Sequence, residues 1–254
     1  KDKDGMRQLG IDIGGSSIKA AEVEVATGRL WGEPVAIPTP QPATPAAVMT
    51  AVARLVRNLG WSGPVGCGFP AVVRAGVVRT AANIDDSWIG VNIIEGLQQA
   101  TGCPCAVIND ADAAGLAEVR FGAGRGVDDT ILVLTLGTGI GSALFFRQQL
   151  FPNLELGSLP LKGTTAEGYA AASIRKQKKL SWPAWSARLN LFLRQVERLL
   201  SPQLIIVGGG VSQRSEMFFP SLVTTADLVP ARLRNHAGIV GAACCFPELS
   251  AAGR

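Results

Sequence analysis

Apolar residues along the chain occur in short runs that end at glycine-rich turns. The first run predicts a buried strand over 8–13, which leads into the turn Gly14–Ser17. Two further strands are predicted directly after it, over 18–25 and 30–37. Three consecutive strands joined by tight turns are typical of an antiparallel meander. We therefore expect the first part of the core to be an antiparallel sheet.

The same pattern returns in the second half of the chain. A strongly apolar strand over 131–136 is followed by the turn Gly137–Gly139 and by a second strand over 140–146. This repeat of strand, glycine turn and strand indicates two lobes of related build. We expect an N-terminal small lobe over 1–112, which the C-terminal helix within 238–254 joins. We expect a C-terminal large lobe over 113–237.

Helices alternate with the remaining strands. Thr44 suits the N-cap of the first helix, Pro45 its first position and Gly60 its C-terminal cap. The other predicted strands cover 64–69, 72–79, 105–108 and 204–207. The other predicted helices cover 92–101, 111–121, 183–200 and 238–246, and a further helix is expected directly after the glycines at 208–210. This order predicts an α/β fold with mixed sheets, two lobes and a central cleft.

Composition narrows the class of protein. The 254 residues are 47% hydrophobic and 17% charged, which excludes a disordered chain. No apolar run approaches the ~18 residues of a membrane span. The net charge is only +4 and aromatic residues make up 6%, a composition that does not favour a dedicated nucleic-acid binder. We expect neither a nucleic acid nor a membrane as partner.

Cysteine and histidine usage excludes several chemistries. The chain has five cysteines without a C-x-x-C pair: Cys67, Cys103, Cys105, Cys244 and Cys245. We expect reduced, mostly buried thiols in a cytoplasmic protein. The charged start Lys1–Asp4 precedes no apolar segment of the signal-peptide type, which also favours the cytoplasm. The single histidine, His236, argues against His-based triads and His-rich metal sites.

Three glycine turns that follow apolar strands are candidates for binding phosphate. They are Gly14-Gly15, Gly137-Thr138-Gly139 and Gly208-Gly209-Gly210. Glycine lets backbone N–H groups approach phosphate oxygens, and nearby side chains add donors: Ser16, Ser17, Thr138 and Lys19. The alternative is that these glycines only serve hairpin turns with positive φ. No G-x-x-x-x-G-K-[ST] run exists, which excludes a P-loop.

Two polar positions at strand ends are candidates for the chemistry. Asp12 precedes the first glycine turn, where a carboxylate would position Mg²⁺ beside a phosphate, or would only cap the turn. Asn109 and Asp110 follow a buried strand, and ligands in α/β sheets collect at the carboxyl ends of strands. These two residues would hold a sugar hydroxyl and accept its proton, or would cap the helix that follows.

Several stretches together resemble the ROK family of sugar kinases. Leu9–Lys19 resembles the family's first phosphate motif, and Val107–Asp112 resembles its catalytic segment. Leu134–Ser142 resembles the second phosphate motif, and Ile206–Ser212 resembles the glycine turn on the nucleotide side. Resemblance to the polyphosphate/ATP glucokinase and glucomannokinase branch lies in Gly66–Pro70, Ala81–Asp85, Pro152–Gly157 and Leu180–Trp182. The resemblance implies the two-lobed actin/hexokinase-like (ribonuclease H-like) fold.

The resemblance also implies roles for individual residues. Asp110 would be the base that takes the proton from the 6-hydroxyl of the sugar, and Asp12 would position Mg²⁺. The remaining sugar-site residues would be Gly68, Phe69, Asn83, Asn109, Glu155, Ser158 and Glu167. The phosphoryl donor would lie against Gly14, Gly15, Ser16, Ser17, Lys19, Gly137, Thr138, Gly139, Gly209 and Gly210.

The implied activity is that of a hexokinase. It would transfer a phosphoryl group from inorganic polyphosphate, ATP or both to the 6-hydroxyl of glucose or mannose. Two alternatives remain open: an ATP-only ROK kinase for another hexose, and a sugar-binding pseudokinase. The sequence does not decide between a monomer and a homodimer.

The chain departs from the family pattern at one sugar-site position. The family motif is Glu-x-Gly-His, whereas this chain reads Glu155-Leu156-Gly157-Ser158. In many members the missing histidine also joins a cysteine cluster around zinc, and 159–166 contains no cysteine, so we expect no zinc. Loss of one sugar hydrogen bond predicts a weakened sugar site.

A basic cluster lies shortly after the sugar motif. Its members are Arg175, Lys176, Lys178 and Lys179. They form either a solvated helix face or a track for polyphosphate, a polyanion whose contacts are electrostatic. Other candidates for such a track are Arg120, Arg125 and Arg147.

Overall fold

The computed structural model describes residues 6–82 and 84–251, apart from the side chains of 247–251. Its strands are β1 Arg7–Ile13, β2 Ser17–Glu24, β3 Arg29–Pro38, β4 Val65–Phe69, β5 Val73–Arg74, β6 Val77–Val78, β7 Cys105–Asn109, β8 Thr130–Leu136, β9 Ile140–Phe146, β10 Gln149–Phe151, β11 Pro160–Leu161, β12 Thr164–Thr165, β13 Leu204–Gly208 and β14 Asp227–Pro230. Its α-helices are α1 Pro45–Asn58, α2 Ile93–Thr101, α3 Asp110–Phe121, α4 Ala166–Ala170, α5 Ala172–Gln177, α6 Trp182–Leu200 and α7 Ala237–Ala251.

The chain divides into two compact units. Unit 1 comprises residues up to Ala117 and from His236 onwards, and unit 2 comprises Glu118–Asn235. The sequence placed the first boundary after residue 112, whereas α3 continues without a break from unit 1 into unit 2. The second boundary lies just before α7, so the C-terminal helix belongs to unit 1.

Unit 1 contains a five-stranded sheet in the order β3-β2-β1-β4-β7. The first three strands are antiparallel, as the meander prediction required, and β4 and β7 extend the sheet in parallel. Helix α1 begins with Thr44 as N-cap, whose side chain accepts from the Ala47 N–H, and Pro45 occupies its first turn. Its apolar face packs into the core of unit 1 together with Trp88, Leu97 and the buried faces of the strands.

Helix α7 contacts the sheet of unit 1 through glycines. A Cβ at Gly10 in β1 would overlap the Ile239 carbonyl, and one at Gly66 in β4 would overlap the Ala242 carbonyl. On α7 itself, a Cβ at Gly241 would overlap the Ala113 carbonyl of α3. The helix backbone therefore lies directly on the strand backbone, with no side chain between them.

Unit 2 repeats the topology of unit 1. Its sheet has the order β10-β9-β8-β13-β14, with three antiparallel strands followed by two parallel ones. Helix α6 buries one face, including Trp185, Leu189 and Phe192, against this sheet. The Trp185 indole also donates to the Ala170 carbonyl at 2.8 Å. The repeat read from the sequence is thus confirmed, as is the mixed α/β class.

Two predicted elements differ from the structure. Residues 72–79 form not one strand but the hairpin β5–β6, because Ala75 and Gly76 both have positive φ (50° and 77°) and reverse the chain. After β13, residues 210–217 form 3₁₀ turns with non-helical backbone at Arg214, instead of a regular helix. The edge strand β14 is an element that the sequence analysis did not predict.

The cysteines are part of the core. All five are buried and free of disulfide bonds. Burial raises the pKa of the Cys67 thiol well above its ordinary value, and it raises the pKa of Cys105 to about 11. Both side chains are therefore neutral thiols at pH 7, which makes them poor nucleophiles.

Within the part of the chain that the structure describes, no helix is long and apolar enough to cross a membrane.

Candidate active site

The first glycine turn joins β1 to β2 and is braced by the loop after β3. The Gly14 N–H donates to the Ser17 carbonyl at 3.0 Å, and the Thr39 hydroxyl donates to the Gly14 carbonyl at 2.5 Å. The Gln41 amide donates to the Gly15 carbonyl at 3.2 Å. Gly14 lies outside the left-handed region, so the positive-φ alternative is wrong for it. The turn is held firmly, while Gly15 and Ser16 stay exposed.

Asp12 lies one residue before the end of β1, between two neighbouring strands. It pairs with Lys19 on β2 and with Gly68 on β4. Burial raises the pKa of the Asp12 carboxyl, and the positive charge of Lys19 partly opposes this effect. The start of α7 also lies against it, because a Cβ at Gly238 would be 2.9 Å from Asp12 Cγ. Asp12 is thus a largely desolvated carboxylate beside the exposed turn.

Asp110 begins α3 at the carboxyl end of β7. A Cβ built on Gly68 would lie 3.7 Å from Asp110 Cα and 3.9 Å from Asp12 Oδ1. Both predicted aspartates therefore lie next to the same glycine. Asp110 is half-buried, and its Oδ1 accepts from the Ala111 N–H at 2.8 Å.

Asn109 is committed to the start of α3. Its side-chain oxygen accepts from the N–H groups of Ala111 and Asp112 at 2.9 and 3.1 Å, and its amide donates to the Ala71 carbonyl at 3.2 Å. The capping interpretation is therefore confirmed for Asn109. An amide group carries two N–H donors, and the contact with the Ala71 carbonyl uses one of them.

Two other predicted sugar-site residues of unit 1 have different outcomes. The Phe69 ring is fully buried, and its centroid lies 4.7 Å from that of Trp88. Its side chain is therefore a core residue and is not exposed to a ligand. Asn83 lies outside the described residues, and its sugar-binding role stays a prediction.

The structure brings the two predicted carboxylates of unit 2 together. A Cβ at Gly157 would overlap the Ile140 carbonyl and would lie 3.3 Å from Glu167 Oε2. Glu155 lies two residues before this glycine. Although its side chain as a whole is exposed, partial burial of the carboxyl raises the pKa of Glu155, and the charge of Glu167 raises it further. Two neighbouring carboxylates of this kind can each accept two sugar hydroxyls.

Ser158 closes the short helical turn that holds this pair. Its hydroxyl donates to the Glu155 carbonyl at 2.7 Å, and its side chain is exposed. Its single proton is therefore used within the turn. Towards a sugar, the hydroxyl can act only as an acceptor.

Ser142 positions the Glu155 segment, a role that the sequence analysis did not predict. Its hydroxyl donates to the Leu154 carbonyl at 2.6 Å and accepts from the Leu156 N–H at 3.0 Å. Ser142 is 1% exposed, so both hydrogen bonds are protected from water. These bonds connect β9 to a segment 12 to 14 residues away and leave Glu155 between the two contacts.

The second and third glycine turns line one pocket within unit 2. Its volume is about 500 Å³, and its walls are Leu136, Gly137, Thr138, Ala172, Ser173, Arg175, Lys176, Trp182, Gly210, Val211 and Arg214. We call it the donor pocket, after the role that the resemblance implies for its glycines. The Ser173 side chain donates to the Thr138 carbonyl at 2.6 Å and its N–H donates to the Gly137 carbonyl at 3.0 Å, which holds the turn.

The glycines of the second and third turns differ in whether the backbone requires a glycine at their position. A Cβ at Gly137 or Gly210 would meet no atom within 4 Å, so both face open space. Gly209, by contrast, has φ of 80° and lies against the Leu136 carbonyl, so its glycine is required by the backbone. The Gly137 N–H donates to the Gly139 carbonyl at 3.0 Å, which closes the second turn on itself.

The basic cluster divides between the donor pocket and the surface. Arg175 and Lys176 line the pocket, whereas Lys178 and Lys179 do not and are exposed. The Arg175 guanidinium lies 3.8 Å from the centroid of the Trp182 ring and donates to the Leu180 carbonyl at 3.2 Å. The ring face attracts the cation and, together with the Leu180 carbonyl, fixes the guanidinium in place. The solvated-face interpretation fits Lys178 and Lys179, whereas a polyphosphate track over Arg175 and Lys176 stays a prediction.

Comparison with known proteins identifies the family of this chain. Residues 8–153 match the model of the ROK family. The chain is 46% identical to the polyphosphate glucokinase of Mycobacterium tuberculosis (strain CDC 1551 / Oshkosh) over 236 residues, which cover 92% of this chain and 89% of the relative. This chain belongs to the ROK family.

Solved structures of ROK-family kinases extend the likeness to three dimensions. The inorganic polyphosphate/ATP-glucomannokinase of Arthrobacter sp. strain KM matches with a TM-score of 0.92 and 48% identity, covering 98% of this chain and 100% of that one. A ROK-family glucokinase from Streptomyces griseus, in complex with glucose and AMPPNP, matches at 0.83 and 25% identity, covering 96% and 100%. The two-lobed actin-like fold of ROK sugar kinases is therefore the fold of this chain.

Proposed function

We propose that this ROK-family chain is a hexokinase that transfers a phosphoryl group from inorganic polyphosphate or ATP to the 6-hydroxyl of glucose. The observation that carries the proposal is its identity of 46% and 48% to polyphosphate-using kinases, which extends over more than nine tenths of the chain. Two features of the structure fit this reaction. Asp12 and Asp110 both lie next to Gly68, and cations line the donor pocket.

Asp110 acts as the general base. Phosphoryl transfer requires positioning, charge neutralisation and a group that accepts the proton of the attacking hydroxyl. Asp110 lies at the carboxyl end of β7, where its carboxylate takes that proton while the sugar oxygen attacks phosphorus. Glu155 and Glu167, the remaining N–H of Asn109 and the amide of Asn83 hold the other hydroxyls and fix the orientation of the sugar.

Mg²⁺ is the metal that suits Asp12. Among the described residues, no group of three or more His, Cys, Asp or Glu side chains could hold a metal ion. Mg²⁺ does not need such a group, because it keeps several waters and takes one or two carboxylates together with substrate phosphates. The desolvated carboxylate of Asp12 beside the first glycine turn fits this coordination. The bound ion would neutralise charge on the transferred phosphoryl group.

Substrate scope and cellular setting complete the proposal. Mannose differs from glucose at one hydroxyl, and we propose it as a second acceptor because the Arthrobacter sp. relative is a glucomannokinase. Five buried thiols suit the reducing cytoplasm, which is where we place the enzyme.

Production of glucose 6-phosphate with polyphosphate or ATP as the only donor tests the proposed function. We expect turnover with polyphosphate in the presence of Mg²⁺, and loss of turnover when the metal is chelated. Turnover with ATP alone would leave an ATP-only hexose kinase. Glucose binding without turnover from either donor would leave the pseudokinase.

Replacement of Ser158 by His should strengthen the sugar site. A histidine at this position can donate to a sugar hydroxyl, whereas the serine proton is used within the turn. One added hydrogen bond contributes about 0.5–1.5 kcal/mol, so we expect the KM for glucose to fall about two- to tenfold. Steady-state kinetics at saturating donor measure it, with Ser158→Ala as control. An unchanged KM in the histidine variant would mean that position 158 does not contact the sugar.

Removal of two donor-pocket cations should weaken both donors. Lys176 and Arg214 line the pocket, and hydrogen bonds from charged groups to phosphate are stronger than neutral ones. For the double variant Lys176→Gln/Arg214→Gln we expect the KM for ATP and for polyphosphate to rise about tenfold or more. The matched control is Lys178→Gln/Lys179→Gln, which removes the same charge from the exposed half of the cluster. Equal effects in both variants would assign the donor affinity to overall charge.

A further inference from the structure

A second pocket in unit 2 has no part in the reaction described above. It has a volume of about 460 Å³ and is lined by Ala123, Val229, Pro230, Ala231, Arg232 and Arg234. We call it the arginine pocket. None of the side chains that line it is aromatic, so it offers no surface on which a nucleotide base could stack.

The arginine pocket lies at the same edge of the sheet as the donor pocket. Strands β13 and β14 are parallel, and Val207 pairs with Pro230. Directly after this pair, the Ala231 N–H donates to the Val207 carbonyl at 2.9 Å. A Cβ built on Gly208 would lie 3.5 Å from Ala231 Cβ. Gly210 of the donor pocket follows Gly208 by two residues, so the two pockets adjoin within on the order of 10 Å.

A buried carboxylate holds the walls of the arginine pocket in place. Glu118 is 1% exposed, and its two oxygens accept from the Ala123 N–H at 2.9 Å and from the Leu233 N–H at 2.7 Å. One bond fixes the loop after α3 and the other fixes the segment after β14. Both carboxylate oxygens of Glu118 are thus engaged by backbone donors, which stabilise its negative charge within the wall of the pocket.

The charge of this pocket favours an anion. Arg232 and Arg234 are exposed, and neither makes a hydrogen bond or an ion pair with another residue in the described part of the chain. Unit 2 as a whole has 14 Lys and Arg against eight Asp and Glu, a net charge of +6, although the complete chain carries only +4. The positive charge is therefore concentrated in the unit that contains both pockets, which attracts polyanions.

We propose that the arginine pocket binds the distal phosphates of a polyphosphate chain whose reactive end lies in the donor pocket. The inference rests on the proposed function, because it assumes that polyphosphate is a donor. A long linear polyanion passes from Gly210 across the ends of β13 and β14 to Arg232 and Arg234. ATP and tripolyphosphate are short enough to occupy the donor pocket alone. The arginine pocket thus adds affinity only for long donors.

The dependence of KM on donor length tests this inference. In the double variant Arg232→Gln/Arg234→Gln we expect the KM for long-chain polyphosphate to rise about three- to tenfold, with kcat unchanged. The KM for ATP and for tripolyphosphate should stay within error of the wild type. The dependence of the long-chain KM on salt should also weaken, because two screened contacts are lost. Both arginines are exposed, so the variant should unfold at the wild-type temperature.

The matched control is Lys178→Gln/Lys179→Gln, which changes the charge of unit 2 by the same amount at residues that line neither pocket. A rise of the long-chain KM in this control equal to that in the arginine variant would overturn the inference. So would a long-chain KM that is unchanged in the arginine variant, or one that rises together with the KM for ATP. Absence of turnover from polyphosphate of every length in the wild type would overturn the proposed donor itself, an outcome distinct from these.

Discussion

Replacement of Asp110 by Asn should lower kcat about 10²–10⁴-fold while glucose still binds. Asparagine keeps the shape of the side chain and an oxygen acceptor for the Ala111 N–H, but it cannot take a proton. The cap of α3 is also preserved, because Asn109 supplies it. Turnover with either donor should be lost in the same proportion, since the proposed base acts on the sugar and not on the donor.

Two measurements together decide the role of Asp110. Steady-state rates give the loss of kcat, and titration calorimetry gives the dissociation constant of glucose. The Asp128→Asn variant removes one exposed carboxylate from the loop between α3 and β8 and should behave as the wild type. Retained turnover in the Asp110 variant would exclude it as the base. Loss of glucose binding together with turnover would make it a sugar ligand instead.

Replacement of Gly66 by Ala should lower the stability of the protein more than the addition of a methyl group at any other position of β4. The added Cβ would overlap the Ala242 carbonyl, a backbone atom of a helix that also packs on β1, β2 and β7. Relief requires that α7 move from the sheet, so we expect a loss at the upper end of overpacking costs, about 3 kcal/mol or more. For a chain of this size that corresponds to a fall in Tm of about 6–12 °C.

Gly68→Ala is the matched control for this stability prediction. It lies two residues further along the same strand, on the same face, and its Cβ would make ordinary contacts of 3.5–3.9 Å. Thermal unfolding of the two variants should therefore differ by most of the expected shift. Equal Tm values would mean that α7 does not rest on the backbone of β4 as the structure has it.

The fold was largely predictable because its signals are local. Each lobe begins with strands separated by glycine turns, and the repetition of that pattern correctly indicated two sheets of related build. The edge strand β14 was missed because Asp227–Pro230 is short, only partly buried and without a clear apolar alternation. The hairpin at 72–79 was missed because Ala75 adopts a positive φ, a conformation that alanine in a sequence does not indicate.

The candidate site was predictable as a set of residues but not as an arrangement. Asp12, Asp110 and the glycine turns stand at strand ends, where the sequence alone marks them. The division of the basic cluster depends on Trp182, which holds Arg175 at the pocket while Lys178 faces solvent. The hydrogen bonds of Ser142 to Leu154 and Leu156 form because strand β9 lies beside a segment that follows Ser142 by 12 to 14 residues. Such contacts exist only once the chain has folded.

The position of α7 in the chain sets an order for folding during synthesis. Unit 2 is one continuous segment, so all of its strands leave the ribosome before the helix that completes unit 1. Until Ala237 and the residues after it emerge, the glycine-lined surface of β1 and β4 has no helix to cover it. Although domains generally fold from the N-terminus during synthesis, here the unit that begins first is completed last. The nascent chain therefore presents a complete unit 2 while unit 1, which contains Asp110, is still open to chaperones and proteases.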